Sequence, residues 1–384
     1  MKIVFTGGGT GGHFYPIIAV VEAVHQLVRE QRLLEPELVY MAPSEFDQEA
    51  LFQADLRFVK TPAGKMRRYF ALSNFTDTFR TLYGAVWSFF TLLRGVPDVV
   101  FSKGGYASVP TVLAAHWLGV PIVIHESDSK PGRANLFAAK YATRIAVTFE
   151  SSVPYFPEKA RKNIALTGIP IRTALAHPLP EGAVQELQLD TSVPTVLVLG
   201  GSLGSKRINE TLVQALPQVL EHANVIHQTG KNNLAETQAL SRVILDGNPN
   251  ASRYHAFPYL SQDSLRKAAG AASLVVSRAG STAITEIALW GKPAILIPIP
   301  ESVSHDQRMN AYAYAHTGAA IVLEEENMTP NILSSEIRRI TGDAGLMQRM
   351  AAQSAGFANP NAARLIAEEL LRIALSHQKR PAQQ

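Results

Sequence analysis

The sequence predicts an α/β protein of two domains, each a parallel sheet wound by helices on both faces. Short apolar, β-rich runs alternate with helix-spaced segments along the chain, the pattern of βαβ units. Two of those runs, Lys2-Ile3-Val4-Phe5 and Val196-Leu197-Val198-Leu199, each lead into a glycine-rich turn and then into a helical pattern. A chain of 384 residues exceeds one ordinary core and suits two.

Taken in order, the first turn is Gly7-Gly8-Gly9-Thr10-Gly11-Gly12-His13. The helix behind it shows Ile17, Val20, Val21, Val24, Leu27 and Val28 at helical spacing, with Pro16 in a first turn that tolerates proline. Strands are expected at Glu37–Met41, Pro97–Phe101, Val120–His125 and Thr143–Val147 in the first half. In the second half they are expected at Thr195–Leu199, Val225–Gln228, Leu274–Ser277 and Ala294–Ile297. The second turn, Gly200-Gly201-Ser202-Leu203-Gly204-Ser205, repeats the strand–glycine–helix arrangement of the first. Glycine lets backbone approach a ligand closely, and a helix N-terminus favours negative charge. The duplication suggests two Rossmann-like domains with a phosphorylated ligand in a cleft between them. Expected boundaries are residues 1–170, 171–355 and a last segment 356–384, whose helix from about Ala362 to Leu375 packs back across the junction.

Composition narrows the class. Apolar residues at 46% and charged residues at 18% build sizeable cores and exclude a disordered chain. The absence of cysteine excludes disulfides, thiolate metal sites and cysteine nucleophiles. The opening MKIVFTGGG runs straight into a strand, unlike a secretory signal. A net charge of +4 suits an anionic ligand or an anionic membrane surface, and no nucleic-acid partner is expected.

Residues 65–94 stand apart. Phe75, Phe79, Leu82, Val86, Phe89 and Leu93 form a stripe with Trp87 and Phe90 beside it, preceded by Lys65, Arg67 and Arg68 and followed by Arg94. Two readings fit: a core helix of the first domain, or an interfacial helix laid on anionic lipid. Its uncharged part is too short to span a bilayer, and Asp77 and Arg80 interrupt it.

Alone, Gly7, Gly9 and Gly12 satisfy a dinucleotide fingerprint, but the second strand runs into Met41-Ala42-Pro43-Ser44 rather than the acidic residue a nicotinamide cofactor requires. No cofactor is expected. His13 suits general-base chemistry near neutrality, although a histidine opening a helix also serves simply to pack. Further groups lie at strand ends: Gly104-Gly105-Tyr106-Ala107-Ser108, His125-Glu126-Ser127-Asp128 leading to Asn135, Ser277-Arg278-Ala279-Gly280-Ser281-Thr282 before Glu286, and His305-Asp306-Gln307 before Asn310. In open α/β sheets that is the ligand edge.

Together the runs GGGTGGHFYP, GGYASVP, HESDSKPGRAN, GIPIR, GGSLGSKRIN and SRAGSTAITEIALWGKPAILIPIP resemble the MurG glycosyltransferases of glycosyltransferase family 28, in the same order and over nearly the whole chain. These enzymes transfer N-acetylglucosamine from UDP-GlcNAc to the lipid-linked muramyl-pentapeptide precursor of peptidoglycan, lipid I. The resemblance implies a GT-B fold, the acceptor held mainly by the first domain and UDP-GlcNAc by the second. It also implies peripheral attachment to the inner face of the bacterial plasma membrane, which favours the lipid-facing reading of residues 65–94.

At matching positions it implies that Thr10, Gly11 and Gly12 lie by the diphosphate or the acceptor, and that Ser202 contacts the UDP phosphates. Arg172 approaches the nucleotide sugar, the Leu260 backbone pairs with uracil, and Ser281, Thr282, Ala283, Ile284 and Thr285 line the donor at a helix start. Glu286 binds the ribose hydroxyls and Gln307 the transferred sugar. In isolation, Ser202 capping a helix, Glu286 on a solvated face and Arg172 paired with a carboxylate are equally ordinary uses. The implied reaction is inverting. The acceptor C4 hydroxyl attacks the anomeric carbon as UDP leaves, His13 is the candidate base, and Glu126 and Asp128 are its substitutes. No Asp-x-Asp-like pair of a metal-dependent transferase occurs, so no metal requirement is expected.

Two departures stand out: Ser127-Asp128 where the family commonly has Gln-Asn, and His305-Asp306-Gln307 where many relatives have Asp-His-Gln. An Asp for Asn adds a charge and removes two donors. Three other readings have their own discriminators. Transfer to another lipid such as diacylglycerol separates a related transferase, and interconversion of free UDP-sugars separates a UDP-GlcNAc 2-epimerase. A biological role that survives His13→Ala separates a non-catalytic UDP-sugar-binding subunit.

Overall fold

The structure, a computed structural model, describes residues 1–8, 10–65, 73–201, 203–301 and 305–378. The chain divides into two compact units, one of residues 1–172 with 359–384 and one of residues 173–358.

Unit 1 runs β1 (Lys2–Thr6), α1 (Gly11–Glu30), β2 (Glu37–Ala42), α2 (Gln48–Gln53), β3 (Arg57–Lys60), α3 (Ser73–Leu93), β4 (Val99–Ser102), α4 (Val109–Trp117), β5 (Ile122–Glu126), α5 (Arg133–Ala138), β6 (Arg144–Val147), α6 (Glu158–Arg161) and β7 (Ile164–Leu166). Its seven-stranded sheet has the order β3-β2-β1-β4-β5-β6-β7, and every pairing is parallel. Ile3, Phe5, Leu38, Tyr40, Val99 and Phe101 face one core, which α1 closes with Ile17, Val20, Val24 and Leu27. Val4, Val39, Met41, Val100, Ile122 and Ile124 alternate with them into a second core on the opposite face. Burial on both faces is why these strands read as unbroken apolar runs.

Unit 2 runs α7 (Pro180–Glu186), β8 (Thr195–Leu199), α8 (Lys206–Val219), β9 (Asn224–Gln228), α9 (Leu234–Ile244), β10 (Tyr254–Phe257), α10 (Gln262–Ala271), β11 (Leu274–Ser277), α11 (Ser281–Leu289), β12 (Ala294–Leu296), α12 (His305–Ala315), β13 (Ala320–Val322), α13 (Pro330–Thr341) and α14 (Ala344–Phe357). Its six strands, all parallel, have the order β10-β9-β8-β11-β12-β13. Val196, Val198, Val225 and Val276 serve one face, and Leu197, Leu199, Ile226 and Val275 the other. The chain then returns to unit 1 with α15 (Ala362–Gln378), which lays Ile366, Ala367, Leu370, Leu371 and Ala374 on the α1 side of that core.

Helix α3 departs from the core-helix reading of its stripe. It packs on α4 through small residues, Gly84, Ala85 and Ser88, together with Leu92. A Cβ on Gly84 would fall 1.8 Å from the Pro62 carbonyl oxygen, in the segment after β3, and 3.3 Å from Pro110 Cβ on α4, so glycine alone lets α3 lie this close to both. Phe75, Phe79, Leu82, Tyr83, Val86, Trp87, Phe90 and Leu93 are all exposed, Phe75 by 70% and Trp87 by 45%. Of the flanking bases, Lys65, Arg80 and Arg94 are exposed, whereas Arg67 and Arg68 lie outside the described residues.

Candidate functional site

Each sheet reverses its strand order once beside its first strand, between β1 and β4 in unit 1 and between β8 and β11 in unit 2. The carboxyl ends of strands at such a reversal form the ligand edge of an open α/β sheet.

At the unit 1 edge, α1 starts at Gly11 with Thr10 as its extended N-cap residue. The first-turn amides, Gly11 and Gly12 among them, have no intrahelical partner by position and face outward from the helix start. Thr10 does not cap with its side chain; its hydroxyl meets His13 Nδ1 at 2.8 Å instead. The other ring nitrogen faces Gly105, where a Cβ would sit 3.5 Å from Nε2. His13 is held down at about 4, first by burial and then by the charge of Lys103, with Asp128 pulling the other way.

Glu126, at the end of β5, is buried and its carboxylate is occupied. Oε1 accepts the Asp128 amide at 2.9 Å, and Oε2 accepts the Gly132 amide at 3.0 Å and Asn135 Nδ2 at 2.9 Å. Burial and then the nearby Asp128 push Glu126 upward. Asn135 Nδ2 also donates to the His125 carbonyl at 3.0 Å, so Glu126 and Asn135 together brace the loop that carries the half-exposed Asp128. His125 is buried, bonds the Gly168 carbonyl through Nε2 at 2.9 Å, and is held well below its ordinary value by burial. Arg172 lies over the Tyr15 ring, 4.5 Å from its centroid, and its buried Nε has no hydrogen-bond partner among the described residues.

At the unit 2 edge, Ser202 lies outside the described residues. Ser205 caps α8 by accepting the Ile208 amide at 3.4 Å, and it receives Arg278 Nη2 at 2.6 Å. Arg278 also pairs with Glu325, so its charge is already answered within the unit. One side chain ties the edge together: Gln228 donates from Nε2 to the Gly201 carbonyl at 3.0 Å and accepts the Leu260 amide at Oε1 at 2.9 Å. A base pairing with the Leu260 backbone therefore meets its carbonyl, or displaces Gln228.

Helix α11 begins behind Gly280 with Ser281, Thr282 and Ala283 in its first turn. Ile284 and Thr285 are turned inward, Ile284 into the core and Thr285 Oγ1 onto the Ser281 carbonyl at 3.0 Å, while Glu286 is half-buried. Gln307, on α12, accepts the Ile299 amide at 3.3 Å. Among the described residues no three His, Asp or Glu side chains gather as metal ligands.

The structure thus gathers Thr10, His13, Glu126 and Asp128 at one edge, and the second glycine turn, Leu260 and the α11 N-terminus at the other. Lys103 and Gln228 are working parts that the sequence reading did not single out, and Asn135, named there only as the end of its run, braces Glu126. Lys103 left one signal, a charge set between the wholly buried β4 and a glycine pair.

Residues 3–147 match the glycosyltransferase family 28 N-terminal domain and residues 195–369 its C-terminal domain. A protein of Treponema denticola named UDP-N-acetylglucosamine--N-acetylmuramyl-(pentapeptide) pyrophosphoryl-undecaprenol N-acetylglucosamine transferase is 35% identical over 385 residues, covering 96% of each chain. Its namesake in Clostridium kluyveri is 36% identical over 340 residues, 88% of this chain and 91% of its own. Among solved structures, Acinetobacter baumannii MurG superposes with a TM-score of 0.75 at 25% identity, covering 97% of this chain and 99% of its own. A UDP-GlcNAc 2-epimerase of Neisseria meningitidis bound to UDP-GlcNAc superposes with a TM-score of 0.61 at 15% identity, covering 97% of this chain and 100% of its own; at that identity it shares the fold alone.

Proposed function

This chain belongs to the MurG family within glycosyltransferase family 28, and on that premise we propose that it transfers N-acetylglucosamine from UDP-GlcNAc to the C4 hydroxyl of lipid I, with inversion at the anomeric carbon. The observation that carries the chemistry is His13, seated at the β1–β4 edge with Nδ1 engaged by Thr10. In the tautomer whose Nδ1–H donates to Thr10, Nε2 keeps its lone pair for the acceptor proton. Held at about 4, the ring is unprotonated at neutral pH and ready to accept. The same burial makes the proton costly to hold. Asp128, which favours the protonated ring, and the negative charge of an arriving acceptor both ease that cost.

As Nε2 takes the proton, the C4 oxygen bonds the anomeric carbon, and the bond from that carbon to the UDP oxygen breaks with its electron pair leaving on UDP. Glu126, spent on three donors, braces the loop rather than receiving the proton. Unit 1 takes the acceptor, its pyrophosphate near Thr10, Gly11 and Gly12. Unit 2 takes UDP-GlcNAc. The second glycine turn, Ser202 included, and the α11 first turn, Ser281 to Ala283, receive the diphosphate side, with Ile284 and Thr285 backing that turn from the core side. Leu260 pairs with uracil through its carbonyl, Glu286 accepts the ribose hydroxyls, and Gln307 holds the sugar. The guanidinium of Arg172 has an unspent Nε for a phosphate oxygen.

The exposed aromatic stripe of α3, rimmed by Lys65, Arg80 and Arg94, suits an anionic lipid surface, and the protein works as a peripheral enzyme on the inner face of the bacterial plasma membrane. Among the described residues no helix is long and apolar enough to cross a membrane.

The test is transfer of labelled sugar from UDP-GlcNAc to a soluble lipid I analogue, with diacylglycerol in parallel and EDTA present throughout. Labelled disaccharide-lipid is expected. Product on diacylglycerol alone, or interconversion of UDP-sugars without acceptor, overturns the assignment, and activity restored only by added metal overturns its metal independence.

A further inference from the structure

Of all described Lys, Arg, Asp and Glu side chains, only Lys103 and Glu126 are fully buried, and both belong to the unit 1 edge. Lys103, 1% exposed, follows β4 directly. A Cβ on Gly7 would lie 2.9 Å from its own Cβ, so the first glycine turn lies against it with no room for a side chain between. Its ammonium donates to Ser127 Oγ, in the loop between Glu126 and Asp128. A buried charge persists where partners answer it. Here burial pulls Lys103 down while Glu126 and Asp128 hold it up.

The titratable groups around it are His13 from α1, His125 and Glu126 from β5, Asp128 from the loop after β5, and Tyr40 of β2, whose hydroxyl donates to the Gly7 carbonyl at 2.6 Å. Lys103 acts on both histidines in the same direction, against their protonation. The acid at position 128 thereby has a counter-charge within its own strand edge.

We propose that Lys103 is a positioning residue of the acceptor edge: its buried ammonium, wedged behind the first glycine turn and bonded to Ser127, answers the charge of the Glu126 and Asp128 carboxylates and holds their loop in place beside His13. The catalytic consequence rests on His13 being the base. Without the ammonium, the buried Glu126 carboxylate loses the cation that faces it, the loop loses its bond to Ser127, and His13 loses a charge that opposes its protonation.

The experiment follows the His13 imidazole by NMR in the full-length protein, the signal identified by its loss in His13→Gln, and in parallel measures the pH profile of kcat/KM. In Lys103→Met both midpoints rise by about one pH unit, and in Asp128→Asn both fall. In Lys103→Met, which also frees the loop from its bond to Ser127, kcat at neutral pH drops about tenfold while KM for UDP-GlcNAc stays within about twofold. The double variant Lys103→Met/Asp128→Asn lies closer to wild type than Lys103→Met alone, because the two charges leave together.

A folded Lys103→Met whose His13 midpoint does not move overturns the proposal, as does simple additivity in the double variant. Should Lys103→Met not fold, Lys103→Gln, which removes the charge but keeps a donor for Ser127, carries the same expectation for the His13 midpoint. If no single variant at 103 folds, the double variant is expected to fold, and its failure overturns the proposal. Lack of transfer by the wild type removes the assigned reaction instead, and the imidazole titration still decides the part played by Lys103.

Discussion

Removing the His13 imidazole is the sharpest residue-scale test of the reaction. His13→Ala is expected to lower kcat by about 10²–10⁴-fold, with UDP-GlcNAc affinity measured by calorimetry unchanged, since the donor is assigned to unit 2. Buried neutral histidines also set the acid limit of stability. His227 is fully buried between Tyr254 and Asn209, at 2.9 and 3.0 Å, and burial holds it at about 3. The unfolded chain protonates this ring below its ordinary value of about 6.5, while the folded chain does not until about 3. Stability from this group is therefore complete above pH 6.5 and is lost as pH falls toward 3, by an amount on the order of a few kcal/mol. Urea unfolding between pH 7 and 4.5 should show that slope, and His227→Asn should flatten it. Thr10 and His13 were legible as candidates because both sit in the first glycine turn, whereas the bond between them shows only in the structure. The bracing of Glu126 was not legible, because its donors are two loop amides and Asn135, brought together only once that loop closes.

Among elements, the expected strands turned out to be the inner ones. The four that no apolar run announced are β3, β7, β10 and β13, the outermost strands of the two sheets. An edge strand buries less and carries charge against stray pairing, as Arg57 and Lys60 do on β3, so its composition fades toward that of a loop. Helix α3 shows the opposite limit. Its periodicity gave the helix and the stripe, but a stripe does not say whether protein covers it; the small Gly84, Ala85 and Ser88 take the face packed on α4 and leave the stripe exposed. Replacing both Phe79 and Trp87 by Ser is expected to cut co-sedimentation with anionic vesicles by about tenfold. Because both side chains are exposed, the melting temperature should move little. A large fall in melting temperature would mean that the stripe supports the fold.

For the whole molecule, the α/β alternation and the repeated strand–glycine–helix unit were enough to give the fold class. They do not show which core a late helix completes, since apolar periodicity in α15 names no partner. The partner is α1: Ile366, Leu370 and Leu371 are buried beside Val20, Val24 and Leu27. Burial of side chains this size is worth about 1.5–3 kcal/mol each. A chain ending at residue 358 should therefore lose cooperative unfolding of unit 1, seen as early proteolysis within 1–172. Unit 2 should still gain stability from UDP-GlcNAc, by about 2.7 kcal/mol at a hundredfold excess over Kd.

The chain leaves unit 1 at residue 172 and re-enters it only at 359. During translation the segment begun first is thus the last to be finished. Residues 173–358 emerge as one uninterrupted stretch able to settle as soon as they clear the ribosome. The β1–β7 sheet meanwhile waits with the core beside α1 unfinished until α15 arrives. Over that interval the nascent protein has its second unit complete and its first still open, an asymmetry in time that the finished fold no longer displays.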